Sequence, residues 1–305
     1  MDPLSSLVAL TRPEAIVSKP VSGAGRWAIR VDRGANAGFG LVLQGTCHLQ
    51  VEGLQSAILE RGDFVLMPSY PSYVLSSHAD FDSRTAHAVT LPCATETHYG
   101  TEAGLPDFKM LGGYFRFSSS NLSLIEQIMP RLVHIRSAGL GAGRIANVLQ
   151  LLAEEARLQG PGHDLILIRL VDIMLIEALR YDGSPAPHPG LLAGLGDHRI
   201  GRALVQFHAA ISAPWTVAKL AIQAGMSRTA FSENFTRLVG KPPMSYVQSW
   251  RMAVARDMLL QQRVSQEVIA DVVGYQSASA FNTAFRRQMG RAPGSFARDI
   301  EAGYS

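Results

Sequence analysis

The sequence predicts a multidomain α and β fold: a small N-terminal β-barrel or sandwich with helices after it, then an all-α C-terminal domain holding two helix-turn-helix units. Three observations carry this. Between residues 26 and 115, apolar and polar residues alternate with period two in short runs broken by turn formers. Beyond Leu122 the apolar spacing becomes helical, and the C-terminal third contains an internal repeat. At 305 residues the chain is longer than one core usually supports. We place the boundaries at residues 1–182 for the β-rich domain with its helices, 183–197 for a linker and 198–305 for the repeat-bearing domain.

Composition narrows the class. Hydrophobic residues make up 47% of the chain and charged residues 17%, the balance of a globular protein rather than a disordered one. The start, Met1-Asp2-Pro3 and soon Thr11-Arg12-Pro13, lacks the basic opening and apolar stretch of a signal peptide. The most hydrophobic segment, Leu165 to Leu179, is interrupted by Arg169, Asp172 and Glu177, so a cytoplasmic location is expected and a membrane span is not. Two cysteines, Cys47 and Cys93, are too few for a disulfide framework or a four-cysteine zinc site and fit a reducing compartment. The net charge of +3 is unevenly divided: from Asp197 onward there are 13 Lys and Arg against 7 Asp and Glu, and before it 15 against 18. A basic end suits a polyanion, although a solvated helical surface would look the same by charge alone.

Taken in order, the run from Leu41 to Glu52 alternates Leu41, Leu43, Gly45, Cys47, Leu49 and Val51 with Val42, Gln44, Thr46, His48, Gln50 and Glu52, and reads as one half-buried strand. Further strands are expected at 57–60, 63–67, 73–76 and 86–91, divided by turns such as Arg61-Gly62-Asp63 and Pro68-Ser69-Tyr70-Pro71. Ile145, Val148, Leu149, Leu152 and Ala156 mark a helix. Leu165 to Arg180 marks another, with a narrow polar stripe of Arg169, Asp172, Glu177 and Arg180. So apolar a helix must bury most of its surface, either on its own domain or in a seam between two copies. Asp182 to Gly190, with prolines at 185, 187 and 189, reads as the interdomain connection.

In the C-terminal domain LAIQAGMSRTAFSENFTRLVGKPPMSY matches IADVVGYQSASAFNTAFRRQMGRAPGSF once one residue is inserted after the glycine. Ala221 and Ala270 are small, as two closely crossing helices require, and Gly225 and Gly274 can end a first helix in the left-handed conformation. Ser227 and Ser277 can cap a second helix, on which Phe231, Phe235 and Leu238 form an apolar stripe repeated by Phe281, Phe285 and Met289. The outward positions are then Arg228, Thr229, Ser232, Glu233, Thr236 and Arg237 in the first unit. In the second they are Ala278, Ser279, Asn282, Thr283, Arg286 and Arg287. Short, polar or basic side chains of this kind suit a helix entering the DNA major groove. Arg228, Thr229, Ser232, Ser279, Asn282 and Thr283 are candidates for base contact, and Arg237, Arg286 and Arg287 for phosphate. Between the units, Ser245 to Gln262 reads as a rod with Val247, Trp250, Val254, Met258 and Leu259 on its apolar face. Such a rod could hold the two second helices about one DNA turn, roughly 34 Å, apart.

These residues resemble the DNA-binding domain of AraC/XylS-type transcriptional regulators. The resemblance runs from about Arg199 to Ser305 and rests on Trp215-Thr216, Leu220-Ala221, Gly225-Met226-Ser227, Phe231, Phe235, Gly240, Pro243, Tyr246, Arg251, Ala255, Ile269-Ala270, Val273-Gly274-Tyr275, Phe281, Phe285 and Gly290-Arg291-Ala292-Pro293. The usual Tyr-Arg ending is replaced by Phe296-Ala297-Arg298. The N-terminal part is similar to the cupin-like regulatory domain of one branch of that family, through Gly62-Asp63-Phe64-Val65-Leu66-Met67-Pro68 and Gly112-Gly113-Tyr114-Phe115-Arg116-Phe117. The resemblance implies double-stranded promoter DNA, RNA polymerase, a small-molecule effector and a second copy of the chain as partners, with no cofactor.

Two other readings stand beside it: a metal-dependent cupin enzyme with a helical appendage, and a helical protein-interaction module, for which the outward faces are too polar. A metal site needs several converging ligands. Gly45 to Gln50 offers only His48, the expected ligand position after Pro68 holds Tyr73 or a neighbour, and His78, His87 and His98 read as surface or core polar groups, so no metal is expected. Some members of the branch are redox sensors, but where several carry a cysteine before the glycine pair this chain has Leu111. Cys47 and Cys93 read as small buried hydrophobes.

Overall fold

The structure, a computed structural model, describes residues 2–32, 37–67, 72–80, 86–89, 96–102, 105–117, 132–138, 143–158, 160–181, 189–261 and 264–296. Its described residues divide into a β unit, within Pro13–Phe117 and Pro130–Pro187, and a helical unit, within Met1–Arg12 and His188–Ser305. Among the described residues no helix is long and apolar enough to cross a membrane.

Twelve strands are described in the β unit: β1 Glu14–Val17, β2 Val21–Ala24, β3 Ala28–Val31, β4 Ala37–Gln44, β5 Thr46–Val51, β6 Ala57–Glu60, β7 Phe64–Met67, β8 Tyr73–Ser76, β9 His87–Val89, β10 Thr97–Gly100, β11 Phe108–Arg116 and β12 Val133–Ile135. One sheet runs β10-β2-β11-β4-β7-β12, with β1 also on β11, and the other runs β6-β5-β8-β3-β9. The β-rich, cupin-like architecture therefore takes the form of two sheets rather than one closed cylinder.

The stretch expected as a single strand over 41–52 is two strands in different sheets, because the chain turns at Gly45. Gly45 has φ +73°, and a β-carbon there would collide with the carbonyl oxygen of Asp107. The turn changes the facing of β4. Val42 joins Cys47, Leu49, Val51, Val65 and Met67 in the core between the sheets, and Leu41 and Leu43 are buried outside that cluster. β12 lies in the region where helix was expected, paired to β7 and tied by Asp63. The buried Asp63 carboxylate accepts from His134 Nε2 at 2.8 Å and from the backbone N–H groups of Ser137 and Glu60 at 2.9 and 3.1 Å. Burial alone would raise its pKa, but these bonds outweigh it and hold the carboxyl below its ordinary value.

Two helices are described in the unit, α2 Arg144–Leu158 and α3 His163–Arg180, packed on each other with α3 against β1. Glu177, expected on a polar stripe, is buried instead and accepts from Arg144 Nε at 2.8 Å and Arg180 Nη1 at 3.4 Å. Cys47 is buried, and its thiol is pushed up to about 12, first by burial and then by the Asp63 charge. It is therefore protonated at neutral pH and is not a thiolate nucleophile. Cys93 lies outside the described residues.

The helical unit begins with α1 Pro3–Thr11, whose Leu7, Leu10 and Thr11 are buried. It packs on two later helices of the unit, and Arg12 reaches Asp257 at 3.5 Å. The other helices described are α4 Leu191–Gly196, α5 His198–Ala209, α6 Val217–Ala224, α7 Arg228–Val239, α8 Pro243–Gln261, α9 Gln266–Val272 and α10 Ala278–Met289. Thus residues 3–11, placed by the sequence in the β-rich domain, fold with the helical unit. The second half of the expected linker 183–197 is α4, with Leu191 buried and Gly194 against Leu204 and Val239.

An aromatic cluster centres the first half of the unit. His208 sits 4.2 Å from the Trp250 ring, its Nε2 2.8 Å from the Tyr246 hydroxyl. Burial lowers the His208 pKa from 6.5 to about 3. The unfolded chain takes up that proton near pH 6.5 and the folded unit only near 3. Stability from this residue is thus complete above pH 6.5 and falls by up to about 1.4 kcal/mol per pH unit below it. In NMR spectra of the full chain, the His208 ring should stay neutral at pH 5, and a protonation midpoint near 6.5 in the folded protein contradicts this packing.

Candidate nucleic-acid interface

The first helix-turn-helix is α6 and α7. Thr216 caps α6 by accepting from the Lys219 N–H at 3.2 Å. Gly225, at φ +63°, ends it with its N–H on the carbonyls of Ala221 and Ile222. Ser227 then accepts from Ala230 N at 3.3 Å and starts α7. The second unit repeats the construction on α9 and α10: Ser265 caps α9, Gly274 takes φ +77°, and Ser277 accepts from Ala280 N at 3.2 Å. Each such cap contributes about 0.5–2 kcal/mol.

Buried rings set the rotation of both second helices. Phe231, Phe235, Phe281 and Phe285 are at most 1% exposed, and the rings of each pair lie 5.4 and 5.5 Å apart. Burying each such side chain contributes roughly 1.5–3 kcal/mol, so neither helix can turn its rings to solvent cheaply. The stripe ends on Val239, which is buried, with Leu238 half-buried beside it.

The opposite faces are open. Arg228, Thr229, Glu233, Thr236 and Arg237 are exposed on α7 and Ser232 is half-buried; on α10 Ser279, Thr283, Arg286 and Arg287 are exposed and Ala278 and Asn282 half-buried. Among the described residues Arg228, Arg286 and Arg287 form no ion pair, whereas Arg237 donates to Asn234 Oδ1 at 2.9 Å. The Thr236 and Thr283 hydroxyls fold back onto the carbonyls of Ser232 and Ser279, at 2.8 and 3.1 Å. An open hollow of about 630 Å³ runs along α10 between Ala278, Ser279, Asn282, Thr283, Arg286 and Arg287 on one side and Gln266 and Glu267 on the other. Sequence reasoning missed these last two. Their signal was Ser265, which caps α9 and so places them at its first turn.

α8 belongs to both units. Tyr246 packs with Phe207 and Phe235 and Trp250 with Tyr246 and His208, while Met252 and Ala255 enter the core of Ile269, Val273, Phe281 and Phe285. The rod is thus buried on more sides than the single face expected, with Val254, Met258 and Leu259 only half-buried. Arg251 adds a polar tie: Nε and Nη2 donate to the Ile211 carbonyl at 3.0 and 2.8 Å, and Nη2 donates to that of Ala213 at 2.6 Å. A β-carbon on Gly274 would collide with the Ser212 carbonyl and press on Arg251, so the turn of the second unit rests against the segment that precedes α6.

The β unit places its histidines apart. His98 bonds Ser22 and the Thr101 carbonyl, His78 bonds Ser77, His87 is exposed, His48 is half-buried and Tyr73 points into the core between the sheets. Among the described residues no three His, Cys, Asp or Glu side chains are placed to hold a metal.

A cupin family model matches residues 2–182, and a helix-turn-helix domain model matches residues 220–299. The chain is 31% identical over 299 residues to an AraC-like transcription regulator of Streptomyces lividans, spanning 97% of this chain and 98% of that protein. It is 28% identical over 313 residues to the HTH-type transcriptional regulator AlkR of Acinetobacter baylyi, spanning 96% and 98%. Among solved structures, the DNA-binding domain of AdpA in complex with a target DNA is 26% identical with a TM-score of 0.32, covering 33% of this chain and 92% of that one. The relatives are named as regulators rather than enzymes, which removes the barrel-enzyme alternative. With duplicated helix-turn-helix units behind a cupin domain, the chain belongs to the AraC-like transcription regulators, a family that binds DNA.

Proposed function

We propose that the chain is a sequence-specific, effector-responsive regulator of promoter activity, acting in the cytoplasm as a homodimer. The observation that carries this reading is the pair of polar, basic faces on α7 and α10, each opposite a buried phenylalanine stripe. Each face enters the major groove of double-stranded promoter DNA. Arg228, Thr229, Ser232, Ser279, Asn282 and Thr283 meet base edges, and Glu233 offers an acceptor that suits the cytosine amino group. Arg237, Arg286 and Arg287 hold phosphates, while Thr236 and Ala278 lie against the groove wall. RNA polymerase at the same promoter is the partner on which the regulator acts.

Two features of the β unit support the rest. Leu151 and Leu158 on α2 and Leu165, Ile166 and Ile173 on α3 are exposed apolar side chains, a seam for a second copy. Between the sheets a cavity of about 30 Å³ has room for a water or two, whereas a cleft of about 540 Å³ opens where β1, Leu111 and Arg116 face Ala156, His163 and Leu167. Only the cleft falls in the size range of small-molecule sites. Crystals of the full chain soaked with a fragment library should show density there. Fragments gathered between the sheets contradict that placement.

DNA binding is tested by titration against salt. The affinity of the full chain for duplex DNA should fall steeply between about 50 and 200 mM salt. The R286A/R287A double variant should bind all sequences more weakly and lower the salt slope by about 2. Binding indifferent to salt, or an unchanged slope in the double variant, overturns the assignment.

A further inference from the structure

Among the differences between the two repeats, one concerns two aligned positions together. Val217 opens α6 and Ser232 lies on α7, whereas the second unit has Gln266 at the start of α9 and Asn282 on α10. Asn282 Nδ2 donates to Gln266 Oε1 at 2.9 Å, a bond between the two helices that Val217 cannot make. Asn282 Oδ1 is turned inward, buried and without a hydrogen-bond partner. A primary amide has two N–H donors, so this orientation leaves one Asn282 hydrogen and the Gln266 amide nitrogen as the groups the pair can offer. Both residues line the open hollow with Ser279, Thr283 and Arg286. Glu267 adds one carboxylate to the lining, but the amide hydrogens of the pair and the Arg286 guanidinium are donors, complementary to the base edge with two adjacent acceptors, N7 and O6 of guanine.

We infer that Gln266, outside the recognition helix, is a positioning residue for base reading: it holds the Asn282 amide donor-outward, so that the second unit selects a guanine for which the first unit has no matching pair. The inference rests on the reading of α10 as a groove-entering helix. Asn282 touches the base, and Gln266 acts through it.

Selection of duplexes from a random library by the full chain tests this, with circular dichroism melting to show that each variant folds. The native chain should yield a motif containing a guanine whose preference drops at least about fivefold in N282A and in Q266A, with no further drop in the double variant. Q266E keeps an acceptor for Asn282 and should retain the preference even as overall affinity falls. A Q266A motif identical to the native one, or weakened evenly at every position, overturns the role of Gln266. Failure of the native chain to select any motif overturns instead the underlying assignment of α7 and α10 as reading helices.

Discussion

The helical unit depends on hiding four rings. Phe231 and Phe235 on α7, and Phe281 and Phe285 on α10, are each buried in the core of their own helix-turn-helix, and that burial leaves one rotation for each helix. The opposite side of each helix is therefore the face that meets solvent, and its polar and basic residues become a surface through a constraint acting behind them. Capping serines and left-handed glycines fix where each helix starts and stops. The rings fix which way it faces.

α8 joins the two units by entering both of their cores. Its first half is buried with Phe207 and Phe235 and its second half with Ile269 and Phe281, so the rod has no freedom to roll relative to either core. Arg251 reinforces the join by donating to carbonyls that precede the first unit while touching the turn of the second. Burial disfavours the Arg251 charge, and the carbonyl oxygens it meets are the compensation.

The repeat was legible in the sequence because each matched residue has a local mechanical task. A cap, a left-handed glycine and an i, i+4 ring pair can each be recognised without knowing what lies elsewhere in the fold. The strand pattern across Gly45 was misread because parity continues through the turn: Leu43 and Cys47 keep the same alternation while belonging to different sheets. β12 was hidden by its three-residue length, and α4 by the prolines just before it. The docking of α1 on the helical unit, the burial of Glu177 and the Gln266–Asn282 bond are tertiary pairings with no periodic signature. The outward faces of α7 and α10 could be listed from spacing alone, but that Asn282 is tethered and Arg286 is not emerges only from side-chain geometry.

If α8 is one rigid rod, α7 and α10 meet the same side of a duplex together. Hydroxyl-radical footprinting of the full chain on a selected operator reads this arrangement. Each bound protomer should give two protected segments centred about 10.5 base pairs apart on one face of the DNA. A single protected segment, or two on opposite faces, would contradict it.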